Sequence, residues 1–447
     1  MRFAAALGMV FLVACATSHT DDTKPTAATP EGDAAAPTFR DDGGVPCEGI
    51  ACNVPSCASG AATAIEGDVY DPAGKAKLYN VRVYVPNAEP EAFSDGVSSC
   101  DRCSSPLTGK PIAAALTDEK GHFRLEGVPA GDRIPVVIQI GKFRRKVVLP
   151  HVEACNTTTV SDGVLTLPKN RKEGDLPRIA VVTGGFDELG CILQRMGIDN
   201  DEFGAPGSES RIHVYRGEGG GGVDTGGDKP ASNLWGSADT LKSYDAVLMA
   251  CEGSEHDETK PTATKQAMVD YVEAGGRVFA THYHYTWLKN SPDAKWQSLA
   301  KWNDSASAYG NEVDAVDTSF PKGQALATWL VENGASTKSG SVAVDQPARN
   351  VASVDGASAQ QWITEPTSKG VRYFSFNAPV GAPEAQQCGR FAFTDVHSRE
   401  HLGAFKLPSG CDLSDMTPQE RALEFMIFDL SACIQPDAEK PAAPPIK

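Results

Sequence analysis

Residues 244–287 read YDAVLMACEGSEHDETKPTATKQAMVDYVEAGGRVFATHYHYTW, and this stretch decides the fold of the larger half of the chain. Ala246, Val247, Leu248, Met249 and Ala250 form a short unbroken apolar run, the pattern of a strand covered on both faces. A polar loop through Cys251, Glu252 and His256 follows. From Thr264 onward Met268, Tyr271 and Val272 recur on one helical face. Gly275 and Gly276 stop that helix, since glycine takes the left-handed cap conformation at little steric cost. Residues 277–281 restart as a strand. A crossover of this length makes a right-handed βαβ unit and therefore a parallel sheet. In open parallel sheets, ligands sit beyond the carboxyl ends of the strands. Those ends carry Cys251, Glu252, His256, Thr281, His282 and His284, so a functional site is expected there.

Working outward, a chain of 447 residues is too long for one ordinary core and predicts two domains plus tails. A net charge of −17 excludes nucleic acid as a partner, because phosphate binding needs a basic face. The local exception is the run Lys142, Arg144, Arg145 and Lys146, which reads as an exposed strand edge rather than an anion site. Twelve cysteines point to an oxidising compartment.

Residues 1–15 have the layout of an export signal: Arg2, then an apolar run too short to span a bilayer, then Leu12-Val13-Ala14-Cys15. The last four residues resemble the bacterial lipobox. That resemblance implies lipidation at Cys15, a lipid membrane as partner, and, with Ala16 next, an outer-membrane location in the bacterial envelope. Residues 16–46 are rich in Thr, Ala, Pro, Asp and Gly and read as a disordered tether.

Residues 47–168 are expected to form a small all-β sandwich. Val81, Val83 and Val85 alternate with Arg82 and Tyr84, as in a half-buried strand. Turn sequences begin at Asp71 and Asp118, whose side chains are expected to bond their own backbone. Cys47, Cys52, Cys57, Cys100, Cys103 and Cys155 make an even set for this domain. Disulfides are the better reading than zinc, and fifteen pairings are open. The segments GDVYDPAG (67–74), NVRVY (80–84) and TDEKGHF (117–123) followed by VPAG (128–131) are similar to the carboxypeptidase-regulatory-like domain. That family implies an accessory module without catalysis.

After a charged linker (168–175), residues 176–433 are expected to form an α/β three-layer domain with a mainly parallel sheet. Residues 434–447, rich in Pro and Ala, read as a loose tail. The fold class is thus multidomain, a sandwich followed by α/β. Gly184-Gly185 has the makings of an anion cradle, and the glycine-rich loop 217–227 is expected to be mobile and able to cover the same sheet edge.

Three constellations carry candidate chemistry. Cys251 with His256 or His282 would be a thiol–imidazole pair for nucleophilic attack. Opposing this, Cys191, Cys251, Cys388, Cys411 and Cys433 are five, so at least one is free or pairs between chains. His282 and His284 with Asp395 and His397 would be a metal set, since residues two apart on a strand face one side. Glu252 with Asp395 would be a carboxylate pair for acid–base work on a glycoside. Tyr283, Tyr285, Trp287, Trp296 and Trp302 read as core more readily than as sugar-stacking platforms.

The segments YDAVLMACEG (244–253), YVEAGG (271–276), RVFATHYH (277–284), IAVVTGG (179–185) and GRFAFTDVH (389–397) resemble the ThuA-like branch of the glutamine-amidotransferase-like superfamily. True amidotransferases place a cysteine in the elbow after the second strand of this pair. Here that elbow reads Ala280-Thr281-His282-Tyr283, so their mechanism does not carry over. The sequence thus favours a non-catalytic binding or scaffold lipoprotein of the envelope, with carbohydrate as a candidate ligand. The alternative is an envelope hydrolase acting on a sugar or peptide through Cys251, His282, His284 and His397. No cofactor is expected beyond a divalent metal at the histidines.

Overall fold

The alternating segments of the first half pair into two small sheets in a computed structural model that describes residues 47–58, 60–98, 100–303, 310–399 and 403–446. The expected signal, the lipidation at Cys15 and the tether lie outside the described residues. Strands β1 (Ala64–Asp68), β2 (Arg82–Pro86), β3 (Pro111–Leu116), β4 (His122–Glu126), β5 (Gly131–Ile140), β6 (Phe143–Val152) and β7 (Thr157–Thr159) form sheets ordered β4-β1-β7 and β3-β2-β5-β6. Val83 and Val85 point into the core between the sheets. Tyr84 is buried too, because Leu107 and Val137 cover the opposite face. The half-buried strand of the sequence reading is therefore buried on both sides. Asp71 and Asp118 accept backbone N–H groups from Lys75 at 2.7 Å and from Lys120 and His122 at 2.9 Å, as turn aspartates do.

The basic run starts in the turn before β6 and continues along that strand, at a sheet edge. Arg144 bonds Asp175 at 2.8 Å, Arg145 faces Glu173 at 3.9 Å, and Lys142 reaches Asp245. The edge is thereby covered by the linker, and its charges are matched by Asp175 and Glu173 of the linker, Glu89 of the first half and Asp245 of the second.

The larger half contributes β8 (Ile179–Thr183), β9 (Phe203–Gly204), β10 (Ile212–Arg216), β11 (Lys229–Pro230), β12 (Ala246–Met249), β13 (Arg277–Thr281), β14 (Ala300–Trp302), β15 (Glu312–Val316), β16 (Ser341–Val344), β17 (Val351–Val354), β18 (Gln360–Thr364), β19 (Val371–Ala378) and β20 (Gly389–Thr394). The main sheet runs β11-β10-β8-β12-β13-β20-β19-β18-β15-β16, with β9 on β10. It is parallel from β11 to β20 and antiparallel from β20 to β16. Strands β14 and β17 pair apart from it. The helix Thr262–Glu273 buries Met268, Tyr271 and Val272 as read from the sequence. Gly276 is needed there, because a Cβ would lie 2.4 Å from the Tyr271 ring.

The two halves share one wall. The helix Pro418–Ser431 starts in a capping box, with Thr417 and Glu420 satisfying each other's backbone N–H groups. In sequence, residues 418–430 read as an amphipathic helix with Leu423, Met426, Ile427 and Leu430 on its inward face, and these four are buried. Phe425 and Phe428 fill the opposite side, with Phe425 stacked on Tyr79 at 6.0 Å and Phe428 against Phe143 at 5.9 Å. A one-faced amphipathic helix thus becomes a helix buried nearly all round, and the apolar core runs through it from the sandwich into the α/β half.

Covalent bonds reinforce that wall. The bridges are Cys47–Cys52, Cys57–Cys155, Cys100–Cys388, Cys103–Cys433 and Cys191–Cys411. The six cysteines of the first half do not close among themselves: Cys100 and Cys103 cross to the second half. The tail beyond Cys433 is not loose at its start either. Ile434 donates to the Asp101 carbonyl at 2.8 Å, and the buried Asp437 pairs with Arg390 at 2.9 Å and Lys322 at 3.1 Å.

Candidate active site

The parallel half of the sheet delivers its polar residues to one edge. Strand β12 ends into Cys251, β13 into His282, and β20 into His397. Cys251 is the free cysteine among the described residues and is fully buried. Its Sγ lies 3.4 Å from His282 Nδ1, and His397 Nε2 lies 3.0 Å from the same nitrogen. His282 has φ +41°, in the left-handed region that non-glycine residues adopt uncommonly. It sits where the strand turns abruptly into the short helix His282–Tyr285. The Phe186 ring packs on His397 at 4.8 Å and the Tyr283 ring on His282 at 4.0 Å.

That turn also explains why His284 does not join. The strand stops at Thr281, so the two-residue periodicity stops with it. His284 donates from Nε2 to the Ala250 carbonyl at 2.9 Å and accepts from Trp287 Nε1 at 3.1 Å. Both of its nitrogens are occupied. Asp395 lies past the end of β20 and accepts the Val351 N–H at 3.0 Å. Of the metal set read from the sequence, His282 and His397 therefore come together, with Cys251 in place of His284 and Asp395. Glu252 is held by the buried Lys260 at 2.6 Å and by the Glu218 N–H at 3.0 Å, and shares no hydrogen-bond partner with Asp395. His256 pairs with Glu258 at 3.0 Å instead of meeting Cys251.

Asp187, which the sequence reading passed over, lies directly behind the cluster. It is fully buried. It accepts the Thr281 hydroxyl at 2.9 Å, the Cys251 N–H at 3.3 Å and the Leu189 N–H at 3.1 Å. The available signal was its place just past the carboxyl end of β8. At Gly184 a Cβ would lie 2.0 Å from the Cys251 carbonyl oxygen, so glycine is what lets the two loops cross. The glycine-rich loop does lie over this edge and is pinned rather than free. Thr183 Oγ1 donates to Gly221 O at 2.6 Å and the Leu407 N–H to Gly222 O at 3.0 Å. Tyr285, Trp287 and Trp296 are core, as read from the sequence.

Electrostatics follows from burial. Desolvation pushes the Cys251 thiol well above its usual range, and the Asp187 carboxylate adds to the shift. Burial draws His282 down to about 4, opposed by the Asn350 side chain. Burial also draws His284 down to about 4. It takes His397 well below the usual range, with His282 adding to the effect. Burial raises Asp187 to about 6 against its three hydrogen bonds, and Asp395 to about 7. Near neutral pH the cluster holds a protonated thiol and neutral imidazoles, not the thiolate–imidazolium pair of a cysteine nucleophile.

No family model and no curated protein matches this chain. Among solved structures, a putative ThuA-like protein from Bacteroides uniformis is similar at 11% identity over 49% of this chain and 82% of that one, with a TM-score of 0.25. Two interface mutants of a type II cohesin–X–dockerin complex from Acetivibrio cellulolyticus are similar at 16% identity over 32% of this chain and 75% of those, with TM-scores of 0.15 and 0.16. Likeness at these TM-scores carries no argument, so the reading of the chain rests on its own architecture: a β-sandwich joined to an α/β domain whose sheet gathers cysteine and histidine at its carboxyl edge.

Proposed function

We propose that this chain is an extracytoplasmic hydrolase of the bacterial envelope, acting on a sugar or peptide at the Cys251/His282/His397 cluster. The carrying observation is that ten cysteines of the described region are paired while Cys251 is withheld against two histidines, one of them in a strained backbone conformation. Strained backbone and buried polar groups concentrate at functional sites. The bridges support an oxidising location. The lipobox supports an anchor at Cys15.

The test is hydrolysis of glycoside and peptide panels by the wild type and by His397→Ala. Loss of a group of this kind is expected to lower kcat/KM by about 10²–10⁴. Glycan binding without turnover, unchanged in His397→Ala, would return the protein to the non-catalytic reading, with the sandwich as the binding module.

A further inference from the structure

The hydrolase reading leaves open how the buried cluster would act. The geometry points to a metal centre: Cys251 Sγ, His282 Nδ1 and His397 Nε2 bind a zinc-class divalent cation, with the fourth position left to water or substrate. This inference rests on the hydrolase reading only for what the cation does, not for its presence.

Four observations carry it. First, the spacing fits. Tetrahedral zinc with one sulfur and two nitrogens sets its ligand atoms about 3.4–3.6 Å apart. Here Cys251 Sγ lies 3.4 Å from His282 Nδ1, the two nitrogens lie 3.0 Å apart, and the remaining separation, Cys251 Sγ to His397 Nε2, is at most 4.8 Å, so the three atoms are close enough to close on one cation with a small side-chain adjustment. Second, the donor set is selective. One thiolate with two imidazoles suits zinc and its neighbours and does not suit magnesium or calcium. Three protein ligands with one open position is the pattern of a catalytic rather than a structural zinc site.

Third, the outer nitrogen of His282 is in a position to support ligation. His282 Nε2 has no hydrogen-bond partner, and the Asn350 side chain, whose oxygen also lacks a donor, lies beside that ring. A ring that ligates through Nδ1 carries its proton on Nε2 and needs such an acceptor. Fourth, the charge balances locally. Binding replaces the thiol proton by a dication, which leaves the three-ligand centre with one net positive charge. The buried Asp187, bonded to the Cys251 N–H, has no cationic side chain among its hydrogen-bond partners. A site charge of +1 beside it supplies what it lacks. Phe186 and Tyr283, which pack on the rings of His397 and His282, are only partly buried, so the cluster lies one side chain below the surface.

The test uses the full chain exported to an oxidising compartment, stripped with chelator, then loaded with Zn²⁺ or Co²⁺ alone. One cation per chain is expected, and the cobalt form should show tetrahedral d–d bands with a thiolate-to-cobalt charge-transfer band. Cys251→Ser is expected to lose the charge-transfer band while keeping its far-ultraviolet circular dichroism. His397→Ala is expected to bind at least about tenfold more weakly. Substoichiometric metal, or a wild-type cobalt form with no charge-transfer band, overturns the site. So does His397→Ala binding as tightly as wild type. If a variant fails to fold, the wild-type cobalt spectrum decides alone. A bound cation with no hydrolysis upholds the site and removes the hydrolase reading. Hydrolysis that survives stripping removes the cation and upholds the enzyme.

Discussion

Removing both bridges between the halves is expected to cost more stability than removing each in turn would suggest. Cys100–Cys388 and Cys103–Cys433 span 288 and 330 residues of chain. With one bridge intact, the other closes a loop of only roughly fifty residues, because both start and both end close together. Each single removal should therefore lose about 2–4 kcal/mol, and the double removal about 1–2 kcal/mol more than their sum. Denaturant midpoints of Cys103→Ser/Cys433→Ser, of Cys100→Ser/Cys388→Ser and of the fourfold variant measure it. Strict additivity, or no loss in either pair, would show that the bridges do not constrain a common loop.

The second large effect is one of pH and lies in the shared wall. Asp71, from the sandwich, and Glu424, from the helix Pro418–Ser431, are both fully buried and within hydrogen-bonding contact. Asp71 Oδ2 and Glu424 Oε1 find no donor among the described residues. The missing partner is a proton. Burial raises Glu424 to about 8, with the Asp71 carboxylate adding to the shift. The Arg421 guanidinium, 2.6 Å from Glu424, and the Lys75 and Ala76 N–H groups on Asp71 oppose the paired shifts only in part.

The sign follows directly. A folded-state pKa above the unfolded value gives stability that is fully present below about pH 4.5 and lost as pH rises through about 8. Asp314 and Asp395, each raised by burial to about 7, titrate in the same window. The comparison must therefore be with a variant. Glu424→Gln donates an amide hydrogen to Asp71 at every pH. Its stability is expected to fall less steeply than wild type between pH 5 and 8, by up to one proton's slope, about 1.4 kcal/mol per pH unit. It should exceed wild type above pH 8. Identical slopes in urea unfolding at several pH values would mean that the pair holds no shared proton.

The strands and helices that carry a strong period were legible in the sequence. The apolar run of β12, the helix Thr262–Glu273 and the Gly275-Gly276 stop appear where hydrophobic spacing placed them. In the antiparallel half, β19 (Val371–Ala378) was legible as a strand, while β15, β16 and β18 were not. Strand β15 carries an exposed Val313 and a buried Asp314, so its polarity alternates against expectation. Asp314 is buried because Arg372 reaches it at 3.2 Å, a long-range pairing that no local pattern encodes. The helix Pro418–Ser431 read as one-faced because the sandwich it supports is far away in sequence.

The site was legible as a place but not as a set of ligands. Strand ends located Cys251, His282 and His397. The choice between them and His284 or Asp395 depended on a left-handed turn at His282, where strand periodicity no longer applies. The bridging cysteines were legible as a group. Their pairing across the two halves was not, because spacing says nothing about which loops meet.

A cysteine map of the unreduced full chain tests the central claim most directly. Thiols are labelled first in the native protein, then after denaturation without reduction, and assigned by peptide mass. Cys251 should be the labelled cysteine of residues 47–446, modified only once the protein is unfolded, since its side chain is buried. Cys251 found in a disulfide, or labelled rapidly in the native state, would contradict a thiol held out of the bridge network against His282 and His397.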